Sequence, residues 1–296
     1  MKTFLWLQPD NRWSRLVRRL EGELASHGWR GVERGSDYDV ILTDNTMIEM
    51  AAAKDRPLVM FDLSDGSHLG SGVWEQLDNP NLKAVLKVSA LKNPFDYNMH
   101  RGRRHTPFVY RPARPHAIGD LEKIKAFASY GAMEPLDAAT ESYEEGERNI
   151  TAFFAGTTEY RPETPEGFAV SEHRRQCLRA VSEIEGAFCV DSKAYRRDQY
   201  LSLMRRSQFA VCPWGWGEAT YREYEAALCG AIPIRPKTPW QEEPDGIQCI
   251  WCEPDFSDLK QLLDDIQEPA ARWIQHAKRV NRERVLRKRM MVGERL

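Results

Sequence analysis

Short apolar runs alternate with stretches of helical spacing from the start of the chain. Phe4-Leu5-Trp6-Leu7 reads as a strand, and Leu16, Val17, Leu20 and Leu24 form one face of a helix that ends near Gly28. Val40-Ile41-Leu42 gives a second strand, Leu58 to Leu63 a third, and Ala84 to Lys87 a fourth. Strands separated by helical stretches predict a parallel sheet covered on both faces. No Gly-x-Gly-x-x-Gly follows the first strand, so this Rossmann-like segment lacks the dinucleotide fingerprint. Residues 119 to 148 read as helical and then acidic, with Glu141, Glu144, Glu145 and Glu147 marking a surface connector.

The second half repeats the alternation. Ile150 to Gly156 is a buried strand ending in glycine, and a long loop, Thr157 to Val170, leads to a helix from Ser171 to Val181 with Arg174 and Arg175 in its first turns. Phe188-Cys189-Val190 is a strand, and Tyr200, Leu201 and Met204 mark a helix. Phe209 to Cys212 is a strand closed by Pro213, after which Gly215 and Gly217 make a loop. Thr220 caps a helix with Tyr224, Ala227 and Leu228 on its apolar side, Gly230 stops it, and Ile232-Pro233-Ile234 starts the next strand. Residues 257 to 268 form an amphipathic helix, and Arg279 to Arg289 a basic one. The pattern divides the chain into an N-terminal Rossmann-like domain (1–118), a connector (119–148), a C-terminal Rossmann-like domain (149–275) and a C-terminal basic helix (276–296), for which a nucleic-acid arm is one reading.

In parallel sheets ligands bind beyond the carboxyl ends of strands, where loop amides and helix N-termini attract anions. Arg222 stands there, beside the glycine loop, and its planar fork suits a diphosphate. Glu225 follows three residues later, about 4.5 Å along the helix axis. A carboxylate beside phosphate is repelled by it but accepts hydrogen bonds from sugar hydroxyls. Diphosphate, ribose and an attached group make a nucleotide sugar. The competing reading is a surface salt bridge between Arg222 and Glu225.

These residues carry a resemblance. Pro-x-Gly, then Thr220-x-Arg222-x-x-Glu225-Ala226, then Gly230-Ala231-Ile232-Pro233-Ile234 resembles the donor-site motif of exostosin-type glycosyltransferases. That family shows Ser where Thr220 stands and often Cys where Ala231 stands. Phe153-Phe154-Ala155-Gly156 is similar to the strand that opens its C-terminal domain. The resemblance implies an α/β fold of two Rossmann-like domains facing a cleft, the GT-B architecture, in which the C-terminal basic helix (276–296) crosses back to the first domain. It also implies Arg222 on the diphosphate and Glu225 on the ribose. Gly156, Gly215, Gly217 and Thr220 complete the donor site, and Arg174, Arg175 or Arg161 adds a second clamp.

The implied function is transfer of a sugar from a nucleotide-diphosphate sugar, the co-substrate, to a hydroxyl on a glycan or other acceptor, without a metal or other cofactor. Asp62, Asp65 and His68 leave the third strand at its carboxyl end and are candidates for the general base that takes the acceptor's proton; a capped Asp65-Gly66 turn is the alternative. Arg101, Arg103 and Arg104, among aromatics, are candidates for an anionic acceptor or form a solvated face. Asp37-Tyr38-Asp39 has metal-binding composition but precedes a strand, so it reads as a solvated turn and metal ligands are not expected.

Forty-two basic and forty-four acidic residues leave a formal net charge of −2, so no global field recruits nucleic acid. The basic clusters at 101–105 and 279–289 keep modified DNA bases as an alternative acceptor, and a non-catalytic nucleotide- or glycan-binding module is the alternative of another class. The six cysteines read as reduced thiols, and Cys249-x-x-Cys252 fits a strand rather than a zinc or redox site. Thr3 to Leu7 is too short for a signal peptide or a membrane span, so a cytoplasmic protein without a transmembrane segment is expected.

Overall fold

A computed structural model describes residues 2–7, 21–22, 24–25, 28–33, 36–44, 51, 55–62, 71–87, 121–126, 147–160, 163–191, 195–215, 220–237, 247–266 and 277–283. Six strands form the first sheet: β1 (Lys2–Leu7), β2 (Trp29–Val32), β3 (Val40–Asp44), β4 (Leu58–Asp62), β5 (Leu82–Lys87) and β6 (Ile124–Ala126). Their order is β2-β1-β3-β4-β5-β6, and every pair is parallel. Helix α1 (Ser71–Gln76) lies between β4 and β5 in the chain. Successive side chains alternate between two cores: Leu5, Ile41, Met60 and Val85 on one face, and Phe4, Leu42, Phe61 and Leu86 on the other. All of β4 is buried, as a central parallel strand covered on both sides must be.

Two strands of this sheet were not expected from the pattern. β2 has only two large apolar residues, Trp29 and Val32, because it is a half-exposed edge. At residues 121–126 the helical reading of residues 119 to 148 is corrected. Leu121 and Ile124 are three apart, but a 3-10 turn (Leu121–Lys123) puts both in the core and hands the chain to β6, which pairs with β5.

The second sheet contains β7 (Ile150–Gly156), β8 (Phe188–Asp191), β9 (Ser207–Val211), β10 (Ile232–Pro236) and β11 (Ile250–Cys252). The order is β11-β10-β9-β7-β8, again parallel throughout. Its helices are α2 (Pro165–Ser182), α3 (Arg197–Arg205), α4 (Tyr221–Cys229) and α5 (Leu259–Ile266). Apolar residues of α3 and α4 pack with Phe153 and Ala210 on one face, whereas those of α2 and α5 pack with Phe154 and Val211 on the other. This is the two-sheet α/β fold class that the sequence predicts.

Helix α2 begins earlier than expected. The Thr164 hydroxyl accepts the Gly167 N–H at 3.0 Å, and Pro165 occupies the first turn, so the loop after β7 ends at 164 rather than 170. Arg174 and Arg175 therefore lie in the helix's third turn, not its first. Gly167, which suggests a loop by composition, supplies the capped amide instead. Near the chain's end, residues 277–283 are helical and dock on the second sheet's unit. Ala277 joins its core, and the Asn281 side chain accepts the Gln248 N–H at 2.6 Å and donates to its carbonyl at 2.8 Å.

Helix α4 is joined to its sheet by a buried ion pair. Glu223 meets Arg235 of β10 at 3.0 Å with both side chains wholly enclosed, and the same carboxylate accepts the Thr220 N–H at 3.3 Å. The Arg235 guanidinium also lies 5.1 Å from the Trp251 ring centre. Removing one member of such a pair strands a charge in a low-dielectric interior. Arg235→Met is expected to lower the unfolding free energy by roughly 3–5 kcal/mol, and adding Glu223→Leu to recover at least half of that, as read from urea midpoints. Wild-type stability in the single variant would show that the pair does not anchor α4.

Candidate functional site

Strand order reverses around β7, with β8 on one side and β9 on the other, and such a reversal opens a crevice at the carboxyl ends of the strands. Gly156 ends β7 at that crevice. β9 leads through Cys212, Pro213, Trp214 and Gly215 towards α4, whose N-cap is Thr220 and whose end is Gly230 in the left-handed conformation (φ 74°). The sequence-predicted strand, helix and stop are all present, and of the predicted loop Gly215 is described. Gly217 lies outside the described residues.

Arg222, in the first turn of α4, reaches across the sheet end. Its Nη2 donates to the Ala155 carbonyl at 2.7 Å, and its guanidinium lies 5.0 Å from the Phe154 ring centre. Arg174 comes from α2 on the opposite face. Its Nη1 donates to the Thr157 carbonyl at 2.8 Å and the Tyr160 hydroxyl at 2.6 Å, and its Nε donates to the Trp214 carbonyl at 3.2 Å. The two guanidiniums meet over Gly156: a Cβ built there would fall 2.5 Å from Arg222 Nη2 and 3.7 Å from Arg174 Nη1. Glycine is needed here for close approach, not for an unusual backbone.

Both arginines are nearly enclosed, Arg222 at 9% and Arg174 at 5% exposure. Among the described residues neither has a carboxylate within salt-bridge distance, and Arg222 Nη1 is buried without a hydrogen-bond partner. Burial and then the charge of Arg222 lower Arg174 to about 10. Burial pulls Arg222 down as well, but Tyr200, Cys212 and Glu225 outweigh it and raise it above its usual value. Both remain cationic at neutral pH. Two cations enclosed side by side in this way are chemically suited to an anion.

Glu225 stands close by but does not pair directly with Arg222. Its Oε1 accepts from Arg197 Nη1 at 2.6 Å and its Oε2 from the Tyr200 hydroxyl at 2.7 Å. The same hydroxyl accepts from Arg222 Nε over a long 3.4 Å. Arg197 and Tyr200, both on α3, were not singled out by sequence reasoning. Tyr200 counted only as an apolar marker of its helix, and no local spacing announces a hydrogen bond to a helix over twenty residues away.

His173 was also missed, although it precedes Arg174. The Trp214 N–H donates to its Nε2 at 3.2 Å, and the two rings stack with centres 4.6 Å apart. Burial, followed by the charge of Arg174, depresses His173 to about 3 against a backbone hydrogen bond at Pro254 that pulls the other way. A neutral imidazole is thus the acceptor. Consecutive residues of α2 grip both backbone polar groups of Trp214, His173 the N–H and Arg174 the carbonyl. Nearby, Asp191 accepts from the Thr158 N–H at 3.1 Å and its hydroxyl at 2.6 Å.

The remaining sequence candidates fall elsewhere. Arg175 is a third exposed and meets Glu172 at 3.6 Å, apart from the two enclosed arginines. Asp62 is fully enclosed at the end of β4, where Lys87 of β5 lies 3.6 Å away. Asp65, His68, Arg101, Arg103, Arg104 and Arg161 lie outside the described residues. Asp39 precedes β3, as expected, and accepts from the Thr3 N–H at 2.6 Å, while Asp37 meets Arg56 at 3.2 Å. Among the described residues no group of three His, Cys, Asp or Glu side chains is placed to hold a metal, and no helix is long and apolar enough to cross a membrane. The six cysteines are free, and Cys252 lies in β11 as predicted.

No protein-family model matches the chain. A probable glucuronosyltransferase of Oryza sativa subsp. japonica is 35% identical over 91 residues, 31% of this chain and 21% of that protein. A probable glucuronoxylan glucuronosyltransferase of Arabidopsis thaliana is 32% identical over 89 residues, 30% of this chain and 19% of that protein. The similarity thus spans about a fifth of the length of these relatives. Two solved structures align along almost the whole chain. An E. coli trehalose-6-phosphate protein bound with UDP-2-fluoro glucose has a TM-score of 0.60 at 8% identity, covering 100% of this chain and 97% of that one. Sucrose-phosphate synthase from Thermosynechococcus elongatus has a TM-score of 0.53 at 11% identity, covering 99% and 98%. At such identities the likeness is one of fold. The chain has the two-sheet GT-B architecture, and a segment of it is related to plant glucuronosyltransferases.

Proposed function

We propose that the protein is a glycosyltransferase that takes a sugar from a nucleotide-diphosphate donor and transfers it to a hydroxyl acceptor, in the manner of the exostosin-type enzymes its donor motif resembles. One observation carries the reading. Two buried guanidiniums converge on Gly156 at the reversal of strand order, with no carboxylate within salt-bridge distance of either among the described residues, at the crevice where this fold class receives phosphates. A nucleotide-sugar diphosphate carries about two negative charges and suits two planar forks. The Arabidopsis and rice relatives, named as glucuronosyltransferases, and the UDP-2-fluoro glucose complex of the E. coli protein support a UDP-sugar as the first donor to try.

In this mechanism the bond between the anomeric carbon and the diphosphate oxygen breaks as the acceptor oxygen bonds to that carbon. Charge grows on the leaving diphosphate, where Arg222, Arg174 and the α4 N-terminus stabilise it. Glu225, held between Arg197 and Tyr200, offers its remaining lone pairs to the ribose. The acceptor's proton passes to a base in the segment that follows the Asp62–Lys87 pair, where Asp65 and His68 stand. The N-terminal domain binds the acceptor.

Slow hydrolysis of the preferred donor in a panel of UDP-, GDP- and ADP-sugars measures the site without an acceptor. Arg222→Ala is expected to lower this rate by about 100-fold or more. Gly156→Ala displaces the Arg222 guanidinium and is expected to weaken nucleoside diphosphate binding at least roughly tenfold while the fold survives. Normal turnover in Arg222→Ala would sink the assignment.

Acid gives a second test, because the loop that carries Trp214 depends on a neutral His173. The unfolded chain takes up a proton at His173 near its ordinary value of 6.5, the folded one only near 3. This group's contribution is fully present above pH 6.5 and declines as pH falls towards 3, at up to about 1.4 kcal/mol per pH unit. His173→Phe keeps the ring and is expected to flatten the acid limb of stability between pH 6.5 and 4. Parallel limbs in the two proteins would refute the buried neutral imidazole.

A further inference from the structure

Between the arginine proposed to hold the diphosphate and the carboxylate proposed to hold the ribose stands one hydroxyl. Tyr200 donates to Glu225 Oε2 at 2.7 Å and accepts from Arg222 Nε at 3.4 Å. Its ring is fixed edge-on to Phe153 of β7, centres 5.4 Å apart, and the Arg197 guanidinium lies 5.4 Å from its centre on the other side. The ring cannot rotate its oxygen away without leaving β7. Since a hydroxyl has one proton, donation to Glu225 turns the lone pairs towards Arg222.

We infer that Tyr200 is a positioning residue that aims Arg222 at the diphosphate and links it to Glu225, so that the two halves of the donor site are set by one side chain of α3. The inference rests on the reading of Arg222 as a diphosphate ligand. Arg222 has two other anchors, the Ala155 carbonyl on Nη2 and the Phe154 ring beneath the plane, and both leave rotation within that plane weakly restrained. An acceptor at Nε supplies the missing constraint and leaves Nη1, the buried nitrogen with no partner among the described residues, as the fork's open donor. Burial and the adjacent carboxylate raise Tyr200 well above the usual phenol range, so the hydroxyl keeps its proton and its direction. Arg197 completes the arrangement by holding the other oxygen of Glu225 at 2.6 Å.

Tyr200→Phe removes the oxygen, changes no charge and keeps the ring against Phe153. Isothermal titration with inorganic pyrophosphate, which lacks a ribose, is expected to show roughly tenfold weaker binding. In an Arg222→Lys background, where no Nε exists, the same substitution is expected to cost less than about twofold more. Equal losses in both backgrounds would mean that Tyr200 acts through general stability rather than through Arg222, and would overturn the inference. Glu225→Leu is an independent variant. It removes a negative charge beside an anion site, so electrostatics alone predicts tighter pyrophosphate binding, whereas loss of Tyr200's orientation predicts weaker binding; tighter or unchanged binding counts against the inference. If Arg222→Ala binds pyrophosphate as the wild type does, the diphosphate reading fails first. If Arg222→Ala loses pyrophosphate and Tyr200→Phe retains it, only the positioning role fails.

Discussion

Two like charges are held together out of water over a single glycine, and the second half of the molecule is arranged around that constraint. Each guanidinium is held by backbone carbonyls, Arg222 by Ala155 and Arg174 by Thr157 and Trp214. Those carbonyls belong to the end of β7 and to the loops beyond β7 and β9, so the charges are fixed only if strand ends and loops are fixed. His173 and the stacked Trp214 ring anchor one loop, and Asp191 with Thr158 anchors the other. Gly156 is the steric condition for the whole, since any Cβ would occupy the place of Arg222 Nη2.

The two sheets repeat one another in strand order about their first strand, β2-β1-β3 and β8-β7-β9, yet their strand ends carry opposite chemistry. At the end of β4 and β5 the described charges, Asp62 and Lys87, are sealed and mutually compensated. At the end of β7 two positive charges are left over. A shared topology thus supplies a crevice in each unit, and side-chain charge distinguishes the two.

Much of this was legible because the relevant signals are local. The β9 strand, the Thr220 cap, Arg222 in the first helical turn and the Gly230 stop each depend on neighbours within a few residues, and each stands where the sequence placed it. Arg174 was one of three arginines that the family resemblance offered, but its turn was misplaced because Gly167 masked the Thr164-Pro165 start of α2. β6 was misread because a 3-10 turn satisfies the same three-residue spacing as a helix. Tyr200, Arg197 and His173 were invisible for a different reason. Their roles exist only between elements distant in the chain, and an aromatic or basic residue on a helix carries no mark of the strand or loop it will meet.

The charges on α4 show why the long-range part matters most. Arg222, Glu223 and Glu225 lie within four residues, and spacing alone predicts that Arg222 pairs with Glu225 on its own helix. Such a pair would neutralise the arginine before any ligand arrived. The fold instead gives each acid an arginine from another element, Arg235 of β10 for Glu223 and Arg197 of α3 for Glu225. Tyr200 separates Glu225 from Arg222 while still joining them through its hydroxyl. With both carboxylates paired elsewhere, Glu225 still favours the charged form of Arg222 together with Tyr200 and Cys212, but among the described residues it leaves Arg222 outside any direct ion pair. That Arg222 stays outside an ion pair is thus set by the way the helix's own acids are diverted, a property that no segment of the sequence contains by itself.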